Sequence, residues 1–226
     1  MKKFVSVFLF VAGLFCVQAM AESYGADYWQ KSYFVQGGFN AAFSHGDLNK
    51  RSISAKDTVG DKMKIYKPDL GFIPSPELTL GVNIRFFTLA VDFQYSSLSQ
   101  NLADLEDSDE SDVTVWRFGF EFLYNFNWPE DIQVGLGLGY SFTTLYAGNS
   151  AYLDDEIYRS QLMGSGVAFI ANMHYYFTNH IAIVPSVKIY ENWFKNVYTG
   201  PSELCDLDPY LWQTFYTASI ALQYQF

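Results

Sequence analysis

The sequence has few of the residues on which disulfide, metal and cofactor chemistry depends. It contains two cysteines and three histidines in 226 residues. Cys16 lies in an N-terminal segment that we expect to be removed, which would leave Cys205 unpaired and exclude an intrachain disulfide or a cysteine-type metal cluster. No histidine–acid spacing of the zinc type and no glycine-rich phosphate loop is present. We therefore predict neither a cofactor nor a bound metal.

Basic residues and long apolar runs are scarce as well. The chain has 14 Lys and Arg against 24 Asp and Glu, a net charge of −10, and nucleic acid is an unlikely partner because phosphate binding needs a basic surface. Beyond the first residues, no apolar run approaches the roughly 20 residues of a transmembrane helix. Yet half of the residues are hydrophobic and 19% are aromatic, with a mean hydropathy of +0.00. Such a balance indicates that apolar and polar residues are finely interspersed.

The N-terminus has the pattern of a secretory signal. Lys2 and Lys3 precede an apolar run over residues 4–17, and Ala19-Met20-Ala21 supplies the small residues of a cleavage site. We predict a signal peptide over residues 1–21 and a mature domain over residues 22–226. A retained transmembrane helix is the alternative, but the run is shorter than a bilayer requires.

Apolar and polar residues alternate in eight segments of the mature chain. Because successive side chains of a strand point to opposite faces, each segment has one apolar face and one largely polar face. In the last segment, Tyr216, Ile220, Leu222 and Tyr224 share one face with Phe226. The eight predicted strands cover residues 33–43, 78–87, 89–98, 113–125, 132–146, 162–177, 181–190 and 212–226.

The connections between these segments alternate between short and long. The short ones are residues 87–88, 125–131 and 178–180, and the long ones are residues 44–77, 99–112, 147–161 and 191–211. Short periplasmic turns and long extracellular loops are typical of bacterial outer-membrane barrels. We therefore predict an all-β fold, an eight-stranded antiparallel up-and-down transmembrane β-barrel in which the first and last strands pair, since an open edge would be costly in lipid.

A soluble sandwich or a lipocalin-type barrel is the alternative architecture. It would bury apolar rows such as Phe118, Phe120 and Phe122 in the centre. An eight-stranded barrel has room only for its own interior side chains or one small ligand, so eight such rows would overfill it. Turned outward into lipid, the same rows fit.

The chain resembles the small Gram-negative outer-membrane β-barrels of the OmpA-like and OmpX-like class. The resemblance rests on the leader with Ala19-Met20-Ala21, the eight alternating segments, and the terminus Ile220-Ala-Leu222-Gln-Tyr224-Gln-Phe226. It implies an outer-membrane location and a C-terminal assembly signal, Tyr224 and Phe226, that the outer-membrane barrel assembly machinery recognises. The chain stops at the last strand, so the resemblance covers the barrel domain and a cell-wall-binding domain is not expected.

Parity places five charged side chains in the interior of the barrel: Arg85, Asp92, Arg117, Glu121 and Lys188. Unpaired charge is costly in a narrow interior, so we expect them to pair. They could form a static polar plug, which we favour, or a gate whose ion pairs exchange partners. We expect inward glycines such as Gly119 to leave room for the long Arg and Lys side chains, and Pro185 to mark a bulge or a position near a rim.

The function that this pattern favours is a structural or surface-interaction role, with the loops exposed outside the cell. A small channel for ions or polar solutes is the main alternative, and a lipid-modifying enzyme at the rim is a third. His45 is the histidine nearest the outer rim, but Ser44 and Asp47 are too close in sequence to complete a triad, so we predict no enzyme. Contact with outer-membrane lipid and with lipopolysaccharide phosphates is expected, the latter from the basic first loop: Lys50, Arg51, Lys56, Lys62, Lys64 and Lys67.

The acidic residues of the second long loop, between residues 104 and 112, could hold a divalent cation. The loop lacks the glycine that a calcium-binding loop of the EF-hand type needs for its sharp turn. We therefore predict a solvated surface loop there.

Overall fold

A computed structural model describes residues 31–49, 52–56, 62–66, 70, 72–100, 111–127, 132–153, 156–199 and 203–226. The predicted signal peptide lies outside the described residues, and so do the acidic residues of the second long loop up to residue 110. Among the described residues, no helix is long and apolar enough to cross a membrane.

Ten strands are present in the described part of the chain, and eight of them make a barrel. The eight barrel strands are β1 (Ser32–Gly46), β4 (Phe72–Ile84), β5 (Phe87–Gln100), β6 (Ser111–Asn127), β7 (Ile132–Leu153), β8 (Glu156–Tyr176), β9 (Ile181–Thr199) and β10 (Glu203–Gln225). The other two form a hairpin after β1, namely β2 (Ser52–Lys56) and β3 (Lys62–Tyr66).

The barrel is closed and wholly antiparallel. Each barrel strand pairs with its neighbour in the order β1-β4-β5-β6-β7-β8-β9-β10, and β1 pairs in turn with β10, from Phe34 opposite Gln225 to Gly46 opposite Gln213. Closure gives the backbone N–H and C=O groups of the first and last strands a partner. The predicted eight-stranded up-and-down barrel is confirmed.

Side chains alternate between the outside and the interior as the sequence pattern predicts. On β6, Phe118, Phe120 and Phe122 lie outside and are 41–50% exposed, whereas Arg117 and Glu121 are buried inside. Outward rings also contact each other, with the centroids of Phe118 and Phe120 5.0 Å apart. The apolar residues thus form an external belt, and the interior contains the polar ones.

The turn between β4 and β5 is shifted from its predicted place. The chain reverses at Arg85 and Phe86, with Ile84 opposite Phe87, and not at residues 87–88. Arg85 adopts a left-handed backbone conformation, with φ of 56°, which allows the tight reversal. The prediction that Arg85 lies in the interior is therefore wrong, because its side chain is exposed at the turn.

At the end of the barrel that bears the long connections, the long-loop end, the sheet continues past the eight-stranded cylinder. Strands β7 to β10 are 19 to 23 residues long, whereas β1 and β4 to β6 have 13 to 17. The β2–β3 hairpin pairs with β7 through Lys64 opposite Tyr152, and with β10 through Lys56 opposite Asp206. Strands β2, β3 and β7 to β10 therefore pair in a closed cycle of six at this end.

Pro185 lies in β9 without the bulge that the sequence suggested. It is opposite Ile220 of β10 in an uninterrupted register. Toward β8, Asn172 is opposite Ser186 and Tyr175 is opposite Ile183. The two positions between these pairs are unpaired, and the register is the same on both sides of the gap. Because proline has no N–H, it removes ladder bonding on one side, and the strand continues in the same register.

Candidate functional site: the interior of the barrel

A buried lysine joins three walls of the barrel at its centre. Lys188 Nζ of β9 donates to Glu77 Oε1 of β4 and to Glu121 Oε1 of β6, each at 2.6 Å. All three side chains are only 5–6% exposed. Charge-assisted hydrogen bonds of this length are the strong kind, so this cluster fixes the relative positions of three strands that are not neighbours.

Arg117 lies in the same region and is held mainly by rings and neutral oxygens. Its Cζ is 4.1 Å from the ring centroid of Tyr190 and 4.6 Å from that of Phe215, so the guanidinium is enclosed between two aromatic rings. Nη1 donates to Gln94 Oε1 at 3.0 Å, and Nε donates to Thr143 Oγ1 at 3.4 Å. No described carboxylate forms an ion pair with it.

Asp92 is connected to Arg117 through Gln94. Gln94 Nε2 donates to Asp92 Oδ2 and to the Tyr190 hydroxyl, each at 3.2 Å, while Gln94 Oε1 accepts from Arg117. Asp92 is 1% exposed and its Oδ1 lies against Gly119 of β6, where a Cβ would collide with it. Gly119 thus makes room for a carboxylate, whereas the sequence suggested that it makes room for Arg or Lys.

The structure brings together four of the five charged residues predicted for the interior, namely Asp92, Arg117, Glu121 and Lys188, and excludes Arg85. Sequence reasoning missed Glu77, because Pro74 and Pro76 concealed the beginning of its strand. The available signal was that Glu77 lies on the same face of its strand as Thr79 and Asn83, which are both buried. Sequence reasoning also missed Tyr190, which lies on the same face of its strand as Lys188 and is 1% exposed.

Neutral amides occupy the interior at the end of the barrel that bears the short turns, which we call the short-turn end. Gln223 Oε1 accepts from Gln36 Nε2 at 2.7 Å, and His174 Nδ1 lies 3.0 Å from the same oxygen. On the wall formed by β4, β5 and β6, Asn125 Nδ2 donates to Thr88 Oγ1 at 2.7 Å, and Thr88 Oγ1 donates to Asn83 Oδ1 at 2.6 Å. These side chains are 5% exposed or less, except Gln36 at 8%. The amides fill this part of the interior together with a small buried cluster of Tyr176, Ala182, Val184 and Ala221.

Toward the long-loop end the interior is apolar, which the sequence did not lead us to expect. The central charged cluster gives way to a layer in which Phe194 and Phe215 are fully buried and Leu145 and Leu162 are 1% exposed. Other members of this layer are Ala42, Leu48, Leu70, Ile73, Val113, Val115, Ala147, Val197, Leu207 and Leu211. These packed hydrophobic side chains close the barrel above the charges as a small protein core would, and the same cluster continues past the charges through Leu123, Ala168, Ile170 and Tyr190.

One small cavity lies between the apolar layer and Arg117. Its volume is about 10 Å³, and Ser75, Gln94 and Ser96 contribute polar groups to its lining. That space holds roughly one water molecule. Among the described residues, no three His, Cys, Asp or Glu side chains are grouped in a way that could hold a metal ion. The interior is therefore arranged as a filled, layered plug.

The comparisons with known proteins show the fold. No protein-family model matches the chain, and no curated protein matches it in sequence. The outer membrane protein OprG from Pseudomonas aeruginosa has a similar structure, with a TM-score of 0.56, 14% identity, and coverage of 90% of this chain and 98% of that one. The chain thus has the fold of small outer-membrane β-barrels.

Two further solved structures match more distantly. Neisserial surface protein A matches with a TM-score of 0.47 and 16% identity, covering 87% of this chain and 99% of that one. Ail, the attachment invasion locus protein of Yersinia pestis, matches with a TM-score of 0.46 and 11% identity, covering 90% and 100%.

Proposed function

We propose that this protein is exported to the outer membrane of a Gram-negative bacterium and serves there as a plugged barrel that presents a folded surface to the outside. The observation that carries the proposal is the layered interior. Phe194 and Phe215 close it with apolar side chains, and the Lys188 cluster closes it again with charges. Because the interior is filled at two levels, the surfaces available for binding are those at the two ends of the barrel.

The external belt supports the membrane location. Outward-facing residues of β4 to β7 are almost entirely aromatic or aliphatic, as Leu80, Val91, Phe120 and Leu138 illustrate. Removing such a surface from water is worth roughly 25 cal/mol per Å² of apolar area. A lipid environment supplies that burial on all sides of the cylinder.

The long-loop end supports the surface role. The six-strand cycle of β2, β3 and β7 to β10 extends the sheet beyond the ends of β1 and β4 to β6. A paired sheet holds its residues in fixed positions and loses less conformational entropy on binding than a free loop would. In the proposed orientation this extension lies outside the cell, since bacterial barrels place their longer connections there.

A small channel is the second candidate. Arg117 favours it, because it lacks a carboxylate partner among the described residues and could change partners if Gln94 moved. Against it, displacing Arg117 would still leave the apolar layer in place.

Conductance separates the two candidates. The mature chain is refolded, inserted into planar bilayers, and recorded beside Arg117→Ala and the outward control Phe118→Ala. We expect no stable channel from any of the three, since either layer alone blocks ions. Stable single-channel currents from the wild type would overturn the plug, and currents that disappear or change in size only in Arg117→Ala would make that residue a gate.

A rim enzyme is disfavoured by the local geometry. His45 faces outward opposite Thr214 of β10. Thr214 Oγ1, however, donates to Glu191 Oε2 at 3.0 Å, so the histidine does not stand between the hydroxyl and the acid as a catalytic triad requires. We expect no release of fatty acid from radiolabelled lipid A by the wild type, and release that His45→Ala abolishes would contradict this expectation.

A further inference from the structure

Besides its two ends, the barrel has an incompletely paired stretch of wall between β4 and β5. The ladder between these strands ends at Glu77 opposite Gln94. Both strands continue toward the long-loop end, to Phe72 in β4 and to Gln100 in β5, and each stays paired with its other neighbour over that length. The two segments beyond the last pair have no ladder between them. We call this stretch the seam and define it as residues 72–76 and 95–100.

Two prolines explain why the ladder ends there. Pro74 and Pro76 lie in the part of β4 that borders the seam, and Pro74 O accepts from Ser96 Oγ at 2.7 Å. The carbonyl of Pro74 therefore points toward β5. The N and the C=O of a strand residue point to the same side, and that side repeats at every second residue. Both proline nitrogens thus face β5 without an N–H to donate, and the Ser96 side chain bonds across the seam where ladder bonds would otherwise form.

Aromatic rings on the outer surface contact partners on the far side of each seam strand. The ring of Phe72 is 5.2 Å from that of Phe43 on β1, between centroids. The ring of Tyr95 is 5.0 Å from that of Trp116 on β6. The exposed side chains between these two ring pairs are small, namely Pro74, Pro76 and Ser97. The outer face of the seam is therefore bordered by rings and lined by small side chains, within the external belt.

The small cavity beside Arg117 borders the seam from the inside. Its lining comes from both seam strands, with Ile73 and Ser75 of β4 and Gln94, Tyr95 and Ser96 of β5. Tyr95 is an outward residue, 37% exposed, so the cavity reaches the wall itself. Arg117 also lines the cavity and is 4% exposed. Within the described part of the chain its hydrogen bonds use Nε and Nη1, so Nη2 is available to a further acceptor.

We propose that the seam and this cavity form a binding site for an uncharged amphiphile with a single apolar chain, of the class of a long-chain alcohol. Its oxygen replaces the roughly one water molecule that the cavity can hold and accepts a hydrogen bond from Arg117 Nη2. Its chain leaves between β4 and β5 into the external belt, and the bond from Ser96 to Pro74 opens to admit it. This inference depends on the membrane location proposed above and requires no opening along the barrel axis.

Charge and size together select this occupant. The described interior holds three buried carboxylates, Glu77, Asp92 and Glu121, and two buried cations, Lys188 and Arg117. A further anion would add to this excess of negative charge in a region where unpaired charge is costly. The hydrogen bonds of Arg117 already go to neutral amide and hydroxyl oxygens. A space for roughly one water molecule admits a hydroxyl group but excludes a phospholipid or glycolipid headgroup.

Nuclear magnetic resonance of the mature chain in phosphatidylcholine nanodiscs tests the site. The probe is dodecanol, isotope-labelled at the carbon that bears its hydroxyl group, and empty nanodiscs give the background. We expect a saturable resonance distinct from that of dodecanol dissolved in lipid. Unlabelled dodecanol should displace it, whereas dodecanoate and dodecane at the same concentration should not. Arg117→Met should weaken binding about tenfold, because a hydrogen bond to a charged donor is lost.

Variants of the wall test the seam independently of the interior. Pro74→Val combined with Pro76→Val supplies two N–H groups toward β5, so we expect the ladder to extend and the seam to close. Amide exchange at residues 95–97 should then become slower, and dodecanol binding should be lost. Ser96→Ala removes the side-chain bond across the seam and should speed binding. The matched control is Pro185→Ala on β9, which lies outside the seam and should leave binding unchanged.

Several outcomes would overturn the site. These are the absence of a saturable resonance, equal affinity in Arg117→Met, equal competition by dodecanoate, an equal loss in Pro185→Ala, and undiminished binding in a double proline variant whose seam has closed. Fast amide exchange in that variant would contradict the role of the prolines. Heat-dependent gel mobility shows whether each variant is folded, and the wall variants decide the matter if Arg117→Met does not fold. A chain that fails to insert contradicts the membrane location, whereas an inserted chain without saturable binding contradicts this site alone.

Discussion

At the scale of single residues, the interior depends on side chains that each serve several partners. Lys188 satisfies two carboxylates, and Gln94 uses its amide to connect Asp92, Arg117 and Tyr190. In a low-dielectric interior such groups are stable only as a set, because a buried charge that loses its partner retains its desolvation cost. The loss of one member should therefore exceed the worth of one contact.

Replacing Lys188 with methionine should be strongly destabilising. The change leaves Glu77 and Glu121 buried without their cation, at a cost of about 3–5 kcal/mol in the free energy of unfolding. Urea unfolding in lipid vesicles, followed by tryptophan fluorescence, measures it. The exposed Arg85→Met is the control and should change stability by no more than about 0.5 kcal/mol.

A triple variant distinguishes charge from packing at this cluster. Combining Lys188→Met with Glu77→Gln and Glu121→Gln removes the unpaired charges, so much of the lost stability should return. Equal stability of Lys188→Met and the wild type would show that the ion pairs do not support the barrel.

At the scale of strands, alternation predicted the fold but not the ends of its elements. The alternation of apolar and polar residues determines which face of a strand each residue occupies. It therefore predicted the eight barrel strands and which of their side chains point outward. It does not fix where a strand stops, since an apolar turn residue such as Phe86 continues the pattern. For the same reason Arg85 was placed inside, although a left-handed backbone at that residue ends the strand.

The extension at the long-loop end could not be predicted in the same way. Above a membrane belt neither face of a strand has to be apolar toward lipid, so the alternating signal weakens. The apolar interior there depends on residues such as Leu48 and Leu70, which come from the connections beside β1 and β4. Only the tertiary structure brings these segments into the cylinder.

Pro185 provides a prediction about a single strand. Replacing it with alanine supplies an N–H where the β8–β9 ladder lacks two pairs, and one new hydrogen bond is worth about 0.5–1.5 kcal/mol. We expect Pro185→Ala to raise the stability of the barrel and to slow amide exchange in β8 near Met173. Destabilisation, or faster exchange there, would indicate that the proline has a structural role of its own.

At the scale of the whole molecule, the barrel inverts the arrangement of a water-soluble protein. Its aromatic rows lie outside while Lys188 and Arg117 are inside. The buried hydrophobic clusters are the exception, a large one toward the long-loop end and a small one at the short-turn end, since there the sequence builds an ordinary hydrophobic core within the cylinder. Along the barrel axis, the interior therefore changes between polar and apolar side chains.

The external belt leads to a depth-dependent prediction. Phe120 is outward on β6, opposite Val91 and Tyr140 in the middle of its ladders, whereas Tyr95 is outward near the long-loop end of β5. In lipid vesicles, Phe120→Lys should cost about 2–4 kcal/mol in the free energy of unfolding, and Tyr95→Lys no more than about 1 kcal/mol. Equal costs at the two positions would argue against a lipid-facing belt.

The position of Lys188 also bears on how the chain folds. Its two carboxylate partners are 111 and 67 residues away in sequence, and β9 is separated from both β4 and β6 by two strands on the shorter way around the barrel. A half-rolled sheet cannot bring these three groups together. Neutralisation therefore has to await the final curling of the wall. If the chain inserts as proposed, we expect a folding intermediate to reach the bilayer with these charged side chains still hydrated, so that expelling their water is a late step of insertion.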